Sequence, residues 1–106
     1  MKKLVSILLV LVLSLSLLTV ASAEAPKKVG VAMPTMDLQR WIQDGDNMKK
    51  QLEAAGYEVD LQYAANDPAM QISQIENMIA NGAKALVIAS IDGEALGTVL
   101  AQAKEA

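Results

Sequence analysis

The 106-residue sequence contains no cysteine and no histidine. These side chains supply the usual transition-metal ligands and many catalytic bases and nucleophiles. The sequence also lacks a Gly-rich phosphate loop and a Gly-x-Ser-x-Gly motif. We therefore predict no catalytic residue, no metal site and no cofactor, and an enzyme would need catalytic groups from outside this chain. Without cysteine, neither a disulfide bond nor a lipid-modified cysteine can form.

Residues 1–23 have the order of a secretory signal peptide. A short basic start precedes an apolar run over 4–20, and small residues occupy positions 21 and 23. That order predicts cleavage before Glu24 and release into a bacterial periplasm. A permanent membrane anchor is the alternative, but the apolar run is close to the lower length limit for crossing a bilayer.

Basic residues are scarce once this leader is set aside. Removing Lys2 and Lys3 leaves seven basic residues against twelve acidic ones, a net charge of −5. An acidic chain without a clustered basic face binds nucleic acid poorly, so we predict no nucleic-acid partner.

Strand-like and helix-like segments alternate after a linker at residues 24–28. Apolar runs predict buried strands at 29–33 and 84–90, and strict alternation predicts an edge strand at 57–64. Apolar residues at helical spacing predict a helix from Leu38 to the stop at Gly56, a second from the N-cap Asp67 to Gly82, and a third within 92–106. This βαβαβα order predicts an α/β fold: a doubly wound parallel sheet with strand order 2-1-3.

Residues 85–89 of the third predicted strand are all apolar, yet no fourth strand follows to cover its far side. An uncovered apolar edge promotes aggregation. We therefore expect residues 29–106 to be part of an N-terminal lobe in a longer protein. Dimerisation that completes the sheet is the alternative.

A ligand site in such a sheet lies at the carboxyl ends of the strands, where the strand order reverses. With order 2-1-3, the loops after strands one and three reach that crevice. The polar or aromatic candidates in these loops are Thr35, Asp37, Arg40, Trp41, Ser90 and Asp92.

Each of the stronger candidates also has a structural interpretation. Asp37 and Asp92 precede helices and could act as N-caps. Trp41 could pack in the core, and Arg40, the only arginine, could be a solvated surface residue. Together they match a neutral sugar, because a carboxylate accepts from hydroxyls, a guanidinium donates to oxygen and an aromatic ring covers C–H faces.

The segments "VGVAMPT…RWIQDG" and "QISQIENMIANGAKALVIASIDG", with the export signal, resemble bacterial periplasmic sugar-binding proteins of ABC transporters. The resemblance is to the xylose-binding and multiple-sugar-binding (ChvE-like) subgroup. It implies a two-lobed periplasmic-binding-protein type I fold that closes over one monosaccharide. In that family a first-loop arginine, matching Arg40, and a carboxylate or amide after the third strand, matching Asp92, contact the sugar. Some members carry a basic side chain where this chain has Met36.

The predicted ligand-binding residues are therefore Arg40, Asp92, Trp41 and Asp37. The predicted function is to bind a xylose-, glucose- or galactose-like monosaccharide and deliver it to an ABC permease in the inner membrane. A periplasmic sensor that presents the sugar to a membrane receptor is the alternative. A cytosolic sugar-responsive repressor shares the fold, but the leader argues against it.

Overall fold

The computed structural model describes residues 25–106, so the predicted signal peptide lies outside the described residues. In chain order the elements are β1 (Lys28–Met33), α1 (Gln39–Ala54), β2 (Glu58–Tyr63), α2 (Pro68–Ala80), β3 (Ala85–Ile88) and α3 (Gly97–Glu105). No helix within residues 25–106 combines the length and the apolar content needed to cross a membrane.

The three strands form one parallel sheet in the order β2-β1-β3. Val31, in the middle of β1, pairs with Leu61 on one side and Val87 on the other. The predicted α/β class, the parallel sheet and the order 2-1-3 are confirmed.

The core lies on both faces of β1, because successive side chains of a strand point to opposite sides. Val29, Val31 and Met33 are buried against α1. On the other face, Ala32 is buried against α2 and α3, together with Ile75, Met78, Leu96 and Val99. α1 and α2 each bury an apolar stripe against the sheet, as the apolar spacing predicts, whereas α3 packs on α2 and leaves Leu100 exposed.

The predicted start of α2 and the predicted stops of α1 and α2 are confirmed. Asp67 Oδ1 accepts a hydrogen bond from the Ala69 N–H at 3.0 Å, and Pro68 occupies the first helical position. Gly56 and Gly82 follow the two helices with φ of 95° and 87°. Glycine adopts this left-handed conformation without strain, which explains why these helices end there.

The start of α1 differs from the prediction. The helix begins at Gln39, and its N-cap, Leu38, makes no side-chain cap hydrogen bond. Asp37 is therefore not the cap, and Leu38 is 58% exposed rather than part of the buried stripe. The reason is that the preceding loop stays non-helical through Leu38, which places the helix start one residue beyond the position that Asp37 could cap.

The prediction that β3 is buried on both faces is wrong for the described residues. Ala85 and Val87 are exposed, whereas Leu86 and Ile88 are half-buried against the side covered by α2 and α3. The side chains of β3 therefore alternate, because α1 lies over β1 and β2 and leaves this end of the sheet uncovered.

Candidate functional site

The candidate site lies where β1 and β3 end side by side. The Ala89 N–H donates to the Ala32 carbonyl at 2.9 Å, which continues the pairing past the end of β3. Two loops leave the sheet here: the β1–α1 loop (residues 34–38) and the β3–α3 loop (residues 89–96). The topology thus brings together the two loops that the sequence predicts to form the ligand crevice.

Backbone contacts hold the β1–α1 loop in place. Thr35 is 1% exposed, and its Oγ1 accepts from the Asp37 N–H at 3.1 Å. The Asn66 N–H donates to the Pro34 carbonyl at 2.8 Å. Thr35 therefore stabilises the loop through its own hydrogen bond. The Asp37 side chain is exposed and does not cap α1.

Arg40 lies on the first turn of α1 with its guanidinium over the neighbouring indole. Arg40 Cζ is 4.8 Å from the centroid of the Trp41 ring, a cation–π distance. Arg40 Nε is 3.4 Å from Asp44 Oδ2, and the arginine side chain is 76% exposed. Since an exposed pair one helical turn apart contributes only about 0.3–0.5 kcal/mol, Asp44 holds the guanidinium weakly. Arg40 can therefore exchange this partner for a ligand oxygen at little cost.

Trp41 is half-buried, and it contacts both the core and a surface groove. It packs against the core on the α1 side of the sheet. It also borders a groove of about 330 Å³ between α1 and the end of β3. The residues lining the groove are Met33, Trp41, Asp44, Asn47, Met48, Val87, Ile88 and Ala89. The structural interpretation of Trp41, packing in the core, is therefore confirmed, and its ring also borders a groove.

Asp92 lies on the exposed β3–α3 loop, two residues after the exposed Ser90. Its Oδ1 accepts from the Glu94 N–H at 3.0 Å. The helix α3 begins only at Gly97, with Leu96 as its N-cap. Asp92 therefore closes a turn ahead of the helix instead of capping α3, and its second carboxylate oxygen is available to a ligand.

Gln71, on α2, is a residue of the site that the sequence pattern did not predict. Its side chain is fully buried, at 0% exposure. Its Nε2 donates to the Ala89 carbonyl at 2.9 Å, and its Oε1 accepts from the Ile91 N–H at 3.0 Å. The signal that could have revealed it is its position four residues before Ile75, on the buried stripe of α2, where an amide must find partners.

Tyr63, at the carboxyl end of β2, supports the first turns of α1. Its hydroxyl donates to the Trp41 carbonyl at 3.5 Å, a long hydrogen bond. Burial raises the pKa of the Tyr63 phenol, and the nearby Asp46 carboxylate raises it further. The Tyr63 ring packs against the β1 core.

The predicted residues do not all meet in one enclosed pocket. Arg40 contacts Trp41 and Asp44, Asp92 contacts Glu94, and neither Arg40 nor Asp92 lines the groove beside Trp41. The candidate residues instead lie along an open edge, on the β1–α1 loop, the first turn of α1 and the β3–α3 loop. A second cavity, of about 500 Å³, lies around Pro26 and Tyr57 at the amino ends of the strands, so it is remote from this edge.

Residues 29–106 match the family described as "Periplasmic binding protein domain". The chain belongs to this family. The periplasmic binding protein domain is 55% identical, over 89 residues, to the multiple sugar-binding periplasmic receptor ChvE of Rhizobium radiobacter, a match that covers 82% of this chain and 25% of the receptor. It is 40% identical over 103 residues to the D-xylose-binding periplasmic protein of Escherichia coli, a match that covers 97% of this chain and 31% of that protein.

The same domain resembles a solved structure closely. An ABC transporter solute-binding protein from Clostridium phytofermentans, with bound β-D-glucose, is 76% identical and superposes with a TM-score of 0.74. The match covers 74% of this chain and 24% of that protein. The chain thus spans about a quarter of the length of such relatives. These matches confirm the predicted family and the periplasmic-binding-protein type I fold.

Proposed function

We propose that this periplasmic binding protein domain is part of the sugar-capture component of an ABC importer. The proposed ligand is a monosaccharide of the xylose, glucose or galactose type. The observation that carries the proposal is the 76% identity to a solute-binding protein that holds β-D-glucose. The candidate edge supplies matching chemistry, because Arg40 can donate to sugar oxygens, Asp92 can accept from hydroxyls and Trp41 offers an apolar ring.

The proposal assigns each predicted residue a role. Arg40 leaves its weak contact with Asp44 and donates to the sugar in a fixed fork. The free oxygen of Asp92 accepts from a hydroxyl, and the exposed Asp37 carboxylate accepts at the rim. The role is binding without chemical conversion of the sugar, so the protein acts with an ABC permease in the inner membrane as its partner.

Capture of the sugar by this mechanism requires a second lobe. The site is an open edge, and two-lobed proteins enclose a ligand by closing about a hinge. We propose that residues 29–106 belong to the N-terminal lobe, that residues 1–23 are a signal peptide and that the protein works in the periplasm. Residues 25–106 alone should then bind sugar weakly or not at all.

A thermal-shift screen tests the proposal directly. The protein used is the two-lobed protein, either the full-length gene product or residues 25–106 joined to the remaining sequence of the Clostridium phytofermentans relative. Against pentoses, hexoses and uronic acids, at least one pentose or hexose should raise the melting temperature, because a ligand that binds only the folded state stabilises it. A flat response to every sugar would count decisively against the proposal.

A sensor is the second candidate function. One relative, 55% identical to this chain, is named a multiple sugar-binding receptor. In that case the closed, sugar-bound form would present its surface to a membrane receptor or kinase. A gene neighbourhood with permease and ATPase genes supports the importer, and a neighbouring membrane sensor gene supports the second candidate.

A further inference from the structure

A buried side chain of α2 holds the β3–α3 loop from inside the fold. Gln71 bonds to the Ala89 carbonyl and to the Ile91 N–H, one on each side of Ser90. Asp92 follows Ile91 directly. Both bonds are part-buried, and the fully buried Gln71 side chain has no water on the α2 side to take the place of the loop.

A second glutamine on the same helix offers a comparison. Gln74 lies three residues further along α2, and its Nε2 donates to the Tyr63 carbonyl at 3.0 Å. It therefore ties α2 to the end of β2 in the way that Gln71 ties α2 to the end of β3. The two glutamines anchor different loops. Gln71 anchors the β3–α3 loop, which carries the predicted sugar ligand Asp92, whereas Gln74 anchors the start of the loop between β2 and α2, which carries no predicted sugar ligand.

We infer that Gln71 is the positioning residue for Asp92, the residue that fixes the β3–α3 loop in its ligand-binding shape before sugar arrives. The inference rests on the proposed function for the role of Asp92, but its geometry is independent of it. A loop already fixed loses little conformational entropy when it binds, which strengthens binding. Gln71 thus acts on affinity through Asp92 without touching the sugar.

The primary experiment compares two isosteric substitutions in the two-lobed protein by calorimetric titration with D-glucose and D-xylose. Gln71→Met removes both loop bonds, and Gln74→Met removes the bond to β2. We expect Gln71→Met to weaken sugar affinity by roughly tenfold or more, the equivalent of one to two hydrogen bonds, and Gln74→Met by less than about twofold. Equal losses of affinity from the two substitutions would overturn the inference, because both would then act only through general stability.

A double-mutant cycle separates positioning from stability. Asp92→Asn keeps an oxygen for the Glu94 N–H but removes the carboxylate charge. If Gln71 acts through Asp92, Gln71→Met should cost less than about threefold in the Asp92→Asn background. The same tenfold cost in both backgrounds would overturn the inference. If Asp92→Asn alone leaves affinity unchanged, the proposed role of Asp92 fails instead.

Hydrogen exchange gives a test that needs no variant. The Ile91 amide of the sugar-free wild-type protein should exchange at least about 100-fold more slowly than an unprotected amide, because Gln71 Oε1 accepts from it inside the core. Exchange at the unprotected rate would overturn the inference even if no sugar binds. Should Gln71→Met not fold, the Ile91 exchange rate of the wild-type protein still decides whether Gln71 holds the loop before sugar arrives.

Discussion

The Tyr63 hydroxyl lies directly against Gly45, in the middle of α1. A Cβ built on Gly45 would collide with that hydroxyl and would lie 3.2 Å from Leu61 Cδ1. The glycine therefore lets α1 approach the end of β2 closely enough for Tyr63 to reach the Trp41 carbonyl. This contact fixes how closely the first turns of α1, which carry Arg40 and Trp41, approach the end of β2.

Gly45→Ala should destabilise the protein, although alanine normally favours a helix over glycine by about 1 kcal/mol. The added methyl group overpacks the contact with Tyr63, which costs about 1–3 kcal/mol. Tyr63→Phe removes the colliding oxygen, so the double variant should recover most of the loss. Urea denaturation of the four proteins measures this coupling. Additive effects of the two substitutions would show that Gly45 and Tyr63 do not interact.

Alkaline pH should weaken the fold partly through Tyr63. The folded state raises the pKa of this phenol above its ordinary value of 10.0. The folded protein thus holds the phenolic proton more tightly than the unfolded chain does, and the resulting stability is complete below about pH 10 and lost as pH rises through the raised pKa.

The difference between wild type and Tyr63→Phe isolates this effect. Above pH 10, the wild type should lose stability faster than Tyr63→Phe does. Melting temperatures across an alkaline pH series provide the measurement. Parallel curves for wild type and Tyr63→Phe would show that the Tyr63 proton is not linked to folding.

Asp67→Ala should lower the free energy of unfolding by about 1 kcal/mol, because it removes the N-cap bond to the Ala69 N–H. Asp67→Asn retains a side-chain oxygen and serves as the control, with a loss of less than about half that amount. Chemical denaturation measures both. Equal losses would assign the effect to the negative charge near the helix start instead of the hydrogen bond.

The features predicted correctly from the sequence depend on local spacing. The strand order follows from apolar runs and alternation, and the Asp67-Pro68 start and the Gly82 stop of α2 are signals within a few residues. Gln71 was missed because its partners lie on another element, 18 and 20 residues away in sequence. A side-chain bond between elements leaves no periodic pattern.

The predicted site residues were placed by topology, and their local roles were only partly correct. Arg40 lies on the helix that follows β1, and Asp92 lies on the loop that follows β3. Asp37 and Asp92 do not cap α1 and α3, because each helix starts later than the apolar spacing suggests. The spacing defines which face of a helix is buried but only approximately where the helix begins.

Arg40→Ala and Trp41→Ala should separate binding from stability in the two-lobed protein. Arg40→Ala should weaken sugar binding by roughly tenfold to 100-fold, because it removes a charged hydrogen bond to the sugar. The melting temperature should change little, because the Arg40 side chain is mostly exposed. Trp41→Ala should lower both the sugar affinity and the melting temperature, because the indole also packs in the core. Lys49→Ala, which removes another exposed cation on α1, is the control and should change neither. Unchanged affinity in Arg40→Ala would show that the arginine is a surface residue.

The most direct test of the proposed sugar site is a calorimetric titration of D-glucose and D-xylose into the two-lobed protein and its Asp92→Asn variant. We predict one sugar per protein for at least one of the two sugars, with affinity weakened by roughly tenfold or more in the variant at an unchanged melting temperature. No heat of binding for either sugar would contradict the proposed function. Equal affinities of the two proteins would contradict the placement of the site at the carboxyl ends of β1 and β3.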